Sequence, residues 1–538
     1  MKEQSTTKGF AILSLAGILV KVMSLLYVPL LVNIIGDEGY GIYSGAYVIF
    51  TLTYVITNSG MQTAISKQVS ELIELNNYRD AVKTFKIARS ILLGVGMISC
   101  IILLQFAMPI AKFTKGPQGF LALITLAPAI VVTSVLAAYR GYFQGRSIMT
   151  PTAVSQILEQ IFNVVFSLAF AALLIKNGPA DGAAGGTLGT VLGALIAALY
   201  LIKKYNDNKI IKISKSVDSL QPKRLSNREI IRKLFKYGFP ITLSAALQYF
   251  GNVVDMIVVR GRLGVVGFSE AETNVLFGLI SKYNTLINVP LTLIAALCAA
   301  IIPAISRAVI SKDKKTIREK IGFSFKVSYM ISIPCAFGFS ILSEEIYKLI
   351  FMNNIAGYEL LTLGAIAVVF TSIVQIQTII LQCMNKLYAV LISLSMGILA
   401  KVAANYFLVA IPEINVKGAV LGTILCSLIP MIINQRILNS TLKIRVSLFR
   451  YAIKPFTASI LMTIFVFITR IITSSIAMRI GSGYIITVAF PTLITILVGV
   501  FAYSYGIILT GGITKKDINS LSPRLQRMIP RFMRRSLK

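Results

Sequence analysis

Histidine is absent from all 538 residues. That removes the imidazole of HExxH metalloproteases and the general base of most Ser or Cys nucleophile sites. Cysteine is scarce: Cys100, Cys298, Cys335, Cys383 and Cys426 all fall in apolar stretches, and no two have CxxC spacing. Neither a zinc site nor a dithiol redox motif is spelled out, so these cysteines read as small buried hydrophobes. No Walker loop and no nucleophile elbow occurs. The expectation is a protein that is not an enzyme, with no cofactor and no metal. Charge is also thin, at 14% of residues, against about a quarter in soluble domains. The acids are scarcest, 21 Asp and Glu against 53 Lys and Arg.

What is present in quantity is apolar sequence, 56% of the chain, with a mean hydropathy of +0.77. Runs long enough to cross a bilayer recur from end to end. They fall at 10–35, 41–59, 88–110, 119–139, 152–175, 184–202, 237–258, 277–306, 322–343, 360–383, 388–411, 418–438, 451–469 and 484–508. Backbone groups inside lipid must pair within their own segment, so these runs are expected to be helices. The first run is too long for a signal-peptide core and is expected to be a retained span. Fourteen spans place both termini on one side. With that side cytoplasmic, the large majority of Lys and Arg fall in cytoplasmic segments while the acids divide almost evenly, the pattern of the positive-inside rule. The expected location is a bacterial inner membrane, with both termini in the cytoplasm.

A net charge of +32 in a soluble chain would point to nucleic acid. Here the basic residues sit between spans and carry no interleaved stacking aromatics, so nucleic-acid binding is not expected. The most basic segments are Lys203–Lys236, Arg307–Lys326 and Lys515–Lys538. They serve as topological signals and attract anionic membrane lipids.

The halves echo each other. Gly185-Gly186-Thr187-Leu188-Gly189-Thr190 matches Gly418-Ala419-Val420-Leu421-Gly422-Thr423, and Ala64-Ile65-Ser66-Lys67 matches Ala304-Ile305-Ser306-Arg307. The order and similar offsets indicate a duplicated six-span unit. An even number of spans makes the repeats parallel, and transporters built this way bind substrate between the bundles. The expected organisation is a six-helix lobe over 1–203, a basic linker over 204–236, a second six-helix lobe over 237–440, two further helices over 441–510 and a basic tail over 511–538.

Ionisable residues inside spans cost roughly 2.5–3.5 kcal/mol at the bilayer centre and are normally functional or paired. Lys21 lies midway along span 1, Lys401 near the middle of span 11 and Lys282 in the outer part of span 8. A cavity lined by lysines suits an anionic substrate such as a diphosphate, so these three are the substrate-binding candidates. Glu159 in span 5 and Asp255 near the end of span 7 are the ion-coupling candidates. The structural alternatives are a Glu159–Lys401 ion pair, snorkelling of Lys282 to the interface, and a fold role for Asp255.

Lys8-Gly9-Phe10, Ile34-Ile35-Gly36-Asp37-Glu38-Gly39-Tyr40-Gly41-Ile42-Tyr43 and Ala64-Ile65-Ser66-Lys67 together resemble the stage V sporulation protein B group, as does Val253-Val254-Asp255 followed by Leu263-Gly264. That group stands with MurJ-type lipid II flippases and polysaccharide exporters, in one superfamily with multidrug MATE antiporters. The resemblance implies an all-α, two-lobed, V-shaped bundle that opens alternately to each side. It implies a lipid-linked oligosaccharide, held by its undecaprenyl-diphosphate in a cationic cavity. Family members are similar in carrying a basic residue midway along span 1, commonly Arg, where this chain has Lys21. A second Arg two turns later has no counterpart in Leu25-Leu26-Tyr27-Val28. Spans 13 and 14 resemble a pair that borders a lipid-tail groove. A monomer is expected, with cell-wall synthesis proteins as the partner class. The readings kept beside the flippase are a multidrug or small-solute antiporter and a non-transporting envelope or sporulation scaffold.

Overall fold

The computed structural model describes residues 6–207, 224–310, 314–352, 354–442, 447–480 and 484–513. The middle of the basic linker and the tail Lys515–Lys538 lie outside them. Every regular element among the described residues is helical. Among the described residues, eleven stretches are long and apolar enough to cross a membrane. The first of them folds back at Gly36 and supplies two passes. With the bent pair α12–α13 counted as one, the described residues hold twelve such stretches; α9 (Glu270–Ile310) runs over the eighth apolar run of the sequence. Large apolar side chains stand exposed along these helices, among them Leu26, Ile98, Phe106, Phe449 and Leu497. Water would not tolerate so extensive an apolar surface, and lipid would. The chain is a multi-pass helical membrane protein.

The first element, α1 (Thr6–Tyr54), contains the fold-back at Gly36, with φ 71° and ψ 177°. That region is open in practice to glycine alone. After it the chain runs through a π turn, Val55–Ser59, into α2 (Gly60–Glu74). The second pass is thus longer than the apolar run 41–59. The backbone keeps its helical hydrogen bonds into water, where hydropathy no longer marks it. Then follow α3 (Tyr78–Phe113), α4 (Phe120–Gly145), α5 (Met149–Leu174) and α6 (Pro179–Asp207). Beyond the linker, α7 (Asn227–Val254) begins at a capping box, Ser226 with Glu229, which satisfies two orphan N–H groups. A second π turn, Asp255–Val259, joins it to α8 (Arg260–Val266).

The chain divides into two compact units. The first holds residues 1–281 with 405–416, the second 282–404 with 417–538. The first unit takes in α7, α8 and the start of α9 because they pack on the opening helices. Gly60 meets the backbone of Gly238, Lys67 covers the Tyr237 ring at 3.9 Å, and Lys83 donates to the Leu225 carbonyl at 2.8 Å. A large apolar core of α2, α3, α4, α6 and the start of α7 centres on Phe85, Tyr142, Phe143 and Ile65. The contact of α5 with α6 is set by glycine. Gly185, Gly189 and Gly193 lie one turn apart on one face of α6. A Cβ on Gly193 would stand 2.5 Å from the Glu159 carbonyl, and those on Gly185 and Gly189 would strike Phe170 and Ser167. Small residues let backbones approach where lipid supplies no hydrophobic drive.

The second unit comprises most of α9, α10 (Lys314–Ile341), α11 (Ser343–Phe351), α12 (Tyr358–Gly364), α13 (Ala367–Cys383), most of α14 (Leu387–Leu408), α15 (Lys417–Leu442), α16 (Leu448–Ile480) and α17 (Phe490–Leu509). Its core gathers Phe325, Ile321, Ile373 and Leu381. The tenth span is broken, α12 meeting α13 at 53°. At the break Tyr283 Oη donates to the Gly364 carbonyl at 3.2 Å, supplying a partner where the helix does not. A Cβ on Gly364 would collide with that ring. α16 and α17 pack on each other and on α10.

Candidate functional site

The residues inside the first unit's helices form a polar interior. Along the second pass, Tyr40, Tyr43, Tyr47, Phe50 and Tyr54 recur at helical spacing and their rings contact in sequence, stacked, tilted or edge-on, with centroids 5.0–6.4 Å apart. Tyr47 Oη and Thr190 Oγ1 of α6 are 2.8 Å apart. Thr190 and Ser167 both donate to Asn163 Oδ1, at 3.4 and 3.0 Å. Tyr27 Oη donates to Tyr43 Oη at 3.3 Å. The aromatic ladder is therefore edged by largely buried hydroxyl and amide groups of α5 and α6.

Glu159 sits beside this interior, and its partner is Arg140. Arg140 Nη2 and Glu159 Oε2 are 2.6 Å apart, and Arg140 Nε donates to Ser155 at 3.0 Å. Arg140 lies just past the apolar run 119–139, yet α4 continues to Gly145 and buries it. The carboxylate and guanidinium balance each other's charge. Lys21, by contrast, is exposed on α1 and makes no hydrogen bond or ion pair among the described residues.

Asp255 is buried in the second π turn and accepts from Asn405 Nδ2 at 2.8 Å. Five residues on, Arg260 is buried as well. It donates to the Gly41 carbonyl at 2.9 Å and lies 4.5 Å over the Phe277 ring. Around it α1 and α9 cross closely. A Cβ on Gly278 would stand 2.5 Å from the Asp37 carbonyl, one on Gly41 would strike Asn274, and Ser281 Oγ donates to Ser44 Oγ at 2.9 Å. Asn274 donates to Gln118 Oε1 at 2.9 Å. These contacts close the end of the first unit at which Gly36 turns.

In the second unit, Lys282 is wholly buried. Its Nζ donates to the Asn354 carbonyl at 2.9 Å and lies 5.1 Å over the Phe351 ring, so it fastens α9 to the segment after α11. Releasing it to a ligand would give up both contacts. Lys401 is 4% exposed on α14, one turn after Gly397, whose missing side chain admits Cys426 and Pro430 of α15.

Sequence reasoning missed Arg140, Asn405, Arg260's role and the Tyr47–Thr190–Asn163 network. The Tyr spacing was readable; the partners were not, whether 19 residues apart, as Arg140 and Glu159, or 143 apart, as Tyr47 and Thr190. No cluster of three or more metal-ligating His, Cys, Asp or Glu side chains occurs among the described residues.

Comparison with known proteins now bears on this arrangement. Residues 6–309 match the family described as "Polysaccharide biosynthesis protein". The chain is similar to stage V sporulation protein B of Bacillus subtilis, 24% identical over 462 residues covering 84% of this chain and 87% of the relative. It is similar to lipid II flippase MurJ of the same organism, 24% identical over 437 residues covering 78% and 79%. Among solved structures, lipid II flippase MurJ in an inward closed conformation superposes with a TM-score of 0.64 at 16% identity, over 92% of this chain and 98% of that one. A multidrug resistance MATE family transporter of the MOP superfamily, inward-facing, gives 0.66 at 14% identity, over 79% and 95%. The fold is that of these transporters.

Proposed function

The chain belongs to the polysaccharide biosynthesis protein family, and on that premise we propose that it is a flippase carrying an undecaprenyl-diphosphate-linked saccharide across the membrane by alternating access. The observation that carries the reading is Lys21. It is an exposed cation within the first apolar run that makes no hydrogen bond or ion pair among the described residues, in a unit whose Glu159 is already paired with Arg140. An exposed, unneutralised cation attracts an anionic headgroup. A cation-exporting antiporter would instead keep its carboxylates available.

The task involves no bond change. A diphosphate and its sugars lose hydration in crossing, at a cost of several kcal/mol for each unpaired polar group. Lys21 replaces part of that hydration with a charge-assisted hydrogen bond. Tyr47, Thr190 and Asn163 offer hydroxyl and amide partners to the saccharide. Lys401 is the second phosphate candidate. Lys282 contributes in this reading only where its bond to Asn354 opens, and Asp255 serves with Asn405 as a fixed polar joint. With both termini in the cytoplasm, outward movement of an anionic headgroup follows the inside-negative potential, worth about 2.3 kcal/mol per charge per 100 mV.

The test is complementation. Cells depleted of their lipid II flippase receive the wild-type chain or Lys21→Ala at matched membrane levels. Rescue by the wild type and failure of the variant support the reading. Equal rescue by both removes Lys21 from it. A well-inserted wild type that fails to rescue, but confers resistance to cationic drugs, favours the antiporter.

A further inference from the structure

The second unit contains a cavity of about 280 Å³ that the transport reading does not use, close to the lower end of the small-ligand range. It is lined by Lys326 and Met330 of α10, by Arg450, Tyr451, Lys454 and Pro455 of α16, and by Gly511 and Gly512 beyond α17. Three cations line it and no carboxylate does. Lys326 and Met330 are one turn apart on α10. Arg450, Tyr451, Lys454 and Pro455 share one face of the opening turns of α16.

The walls are fixed to one another. Tyr503 of α17 donates to the Met330 carbonyl at 2.9 Å, and Lys454 Nζ to the Gly511 carbonyl at 2.7 Å. Gly322 of α10 leaves room for Tyr451, since a Cβ there would stand 2.5 Å from its Oη. The α17 terminus is closed by a Schellman turn, Gly511 at φ 68° with Gly512 N–H on the Ile507 carbonyl at 2.8 Å. The positive pole of α16, a 33-residue helix, lies at the same end and adds to the attraction for an anion. Beside the cations, Phe449, Ile453 and Ile460 of α16 are exposed and continue along the helix as an apolar flank. Here α10 and α16 begin and α17 finishes, the end that the charge bias orients to the cytoplasm.

We infer that this cavity is a binding site for an anionic phospholipid of the surrounding bilayer, its phosphate held among Lys326, Arg450 and Lys454 and its acyl chains along the apolar flank of α16. Basic pockets between membrane helices recognise phosphate headgroups in this way. The inference requires only that the chain spans a membrane, and it stands apart from the identity of the cargo. A scattered surface charge would attract anionic lipid without retaining it; a cavity with pinned walls retains one molecule.

The experiment uses the purified full chain in neutral detergent, with lipid retention read by native mass spectrometry and melting temperature read in parallel. Phosphatidylglycerol is expected to remain bound at one copy and to raise Tm, while phosphatidylcholine and inorganic phosphate at equal concentration do neither. Lys326→Gln with Arg450→Gln is expected to weaken retention on the order of thirtyfold, and Lys326→Arg with Arg450→Lys to keep it. Arg228→Gln with Arg232→Gln, exposed on α7, controls for net charge and is expected to match the wild type. Equal retention by the Gln pair and the wild type overturns the site. So does equal loss in the α7 control, which would show a net-charge effect. An equal response to inorganic phosphate would assign the cavity to the free anion. Preference at these residues for a prenyl diphosphate over phosphatidylglycerol would assign it to the cargo instead.

Discussion

Arg140 and Glu159 face each other across the α4–α5 hairpin with 2.6 Å between Nη2 and Oε2, and that pairing removes the one carboxylate of span 5 from the pool of free intramembrane charges. Removing one partner strands the other. Glu159→Gln leaves a buried guanidinium unpaired, and Arg140→Met leaves a partly exposed carboxylate. Each is expected to cost about 3 kcal/mol, the lower end for a broken buried pair. The double variant is expected to lose less than the two single losses combined. Melting of the four proteins in detergent checks the cycle; strict additivity would show the pair is not energetically coupled.

The glycines of α6 make a sharper stability prediction. Gly189→Ala places a methyl group against Ser167 and Asn163 of α5 and is expected to cost about 1–3 kcal/mol from overpacking. Gly17→Ala, with nothing within 4 Å of the new methyl, is expected to leave Tm unchanged or slightly raised. An equal effect at both sites would contradict the close approach of α5 and α6.

Ser44 and Ser281 test whether α1 and α9 must part in the proposed transport cycle. Their Oγ atoms are 2.9 Å apart, so Ser44→Cys with Ser281→Cys is expected to form a disulfide under mild oxidation. That link should hold this end closed and abolish transport, and reductant should restore it. Transport that survives a fully formed crosslink would show that this contact does not open.

Acid sensitivity is expected outside the membrane, at α11. The hydrogen bond from Lys348 Nζ to Glu344 Oε1, 2.6 Å, holds the Glu344 carboxyl below its ordinary value, helped by Arg470. A depressed carboxylate pKa stabilises the fold above the unfolded value, about 4.3, and the contribution disappears as pH falls through the folded value. The site is half-exposed, so the gain is less than about 1 kcal/mol. Tm of the wild type is expected to fall more steeply than that of Glu344→Gln below about pH 4.5. Identical pH profiles would deny the interaction.

The helical class was legible because apolar runs of bilayer length admit few other structures. The fold-back at Gly36 was legible as a break but not as a single residue. Helix ends were not legible: α4 carries Arg140 past the end of its apolar run, and the second pass continues to Glu74. The backbone ladder persists where hydropathy has ended. Charged positions were legible, since Lys21, Glu159, Asp255, Lys282 and Lys401 interrupt apolar sequence. Their partners were not, because Arg260 finding the Gly41 carbonyl and Asp255 finding Asn405 are facts of packing that no local spacing encodes.

In the proposed function, recognition of the anionic headgroup turns on the ammonium group of Lys21. Lys21→Ala and Lys21→Arg are introduced into cells depleted of their lipid II flippase, at equal membrane abundance and with Tm matched to the wild type. The wild type and Lys21→Arg are expected to sustain growth and Lys21→Ala is not, because a charge is needed and arginine supplies one with better phosphate geometry. Growth sustained equally by Lys21→Ala would contradict that requirement.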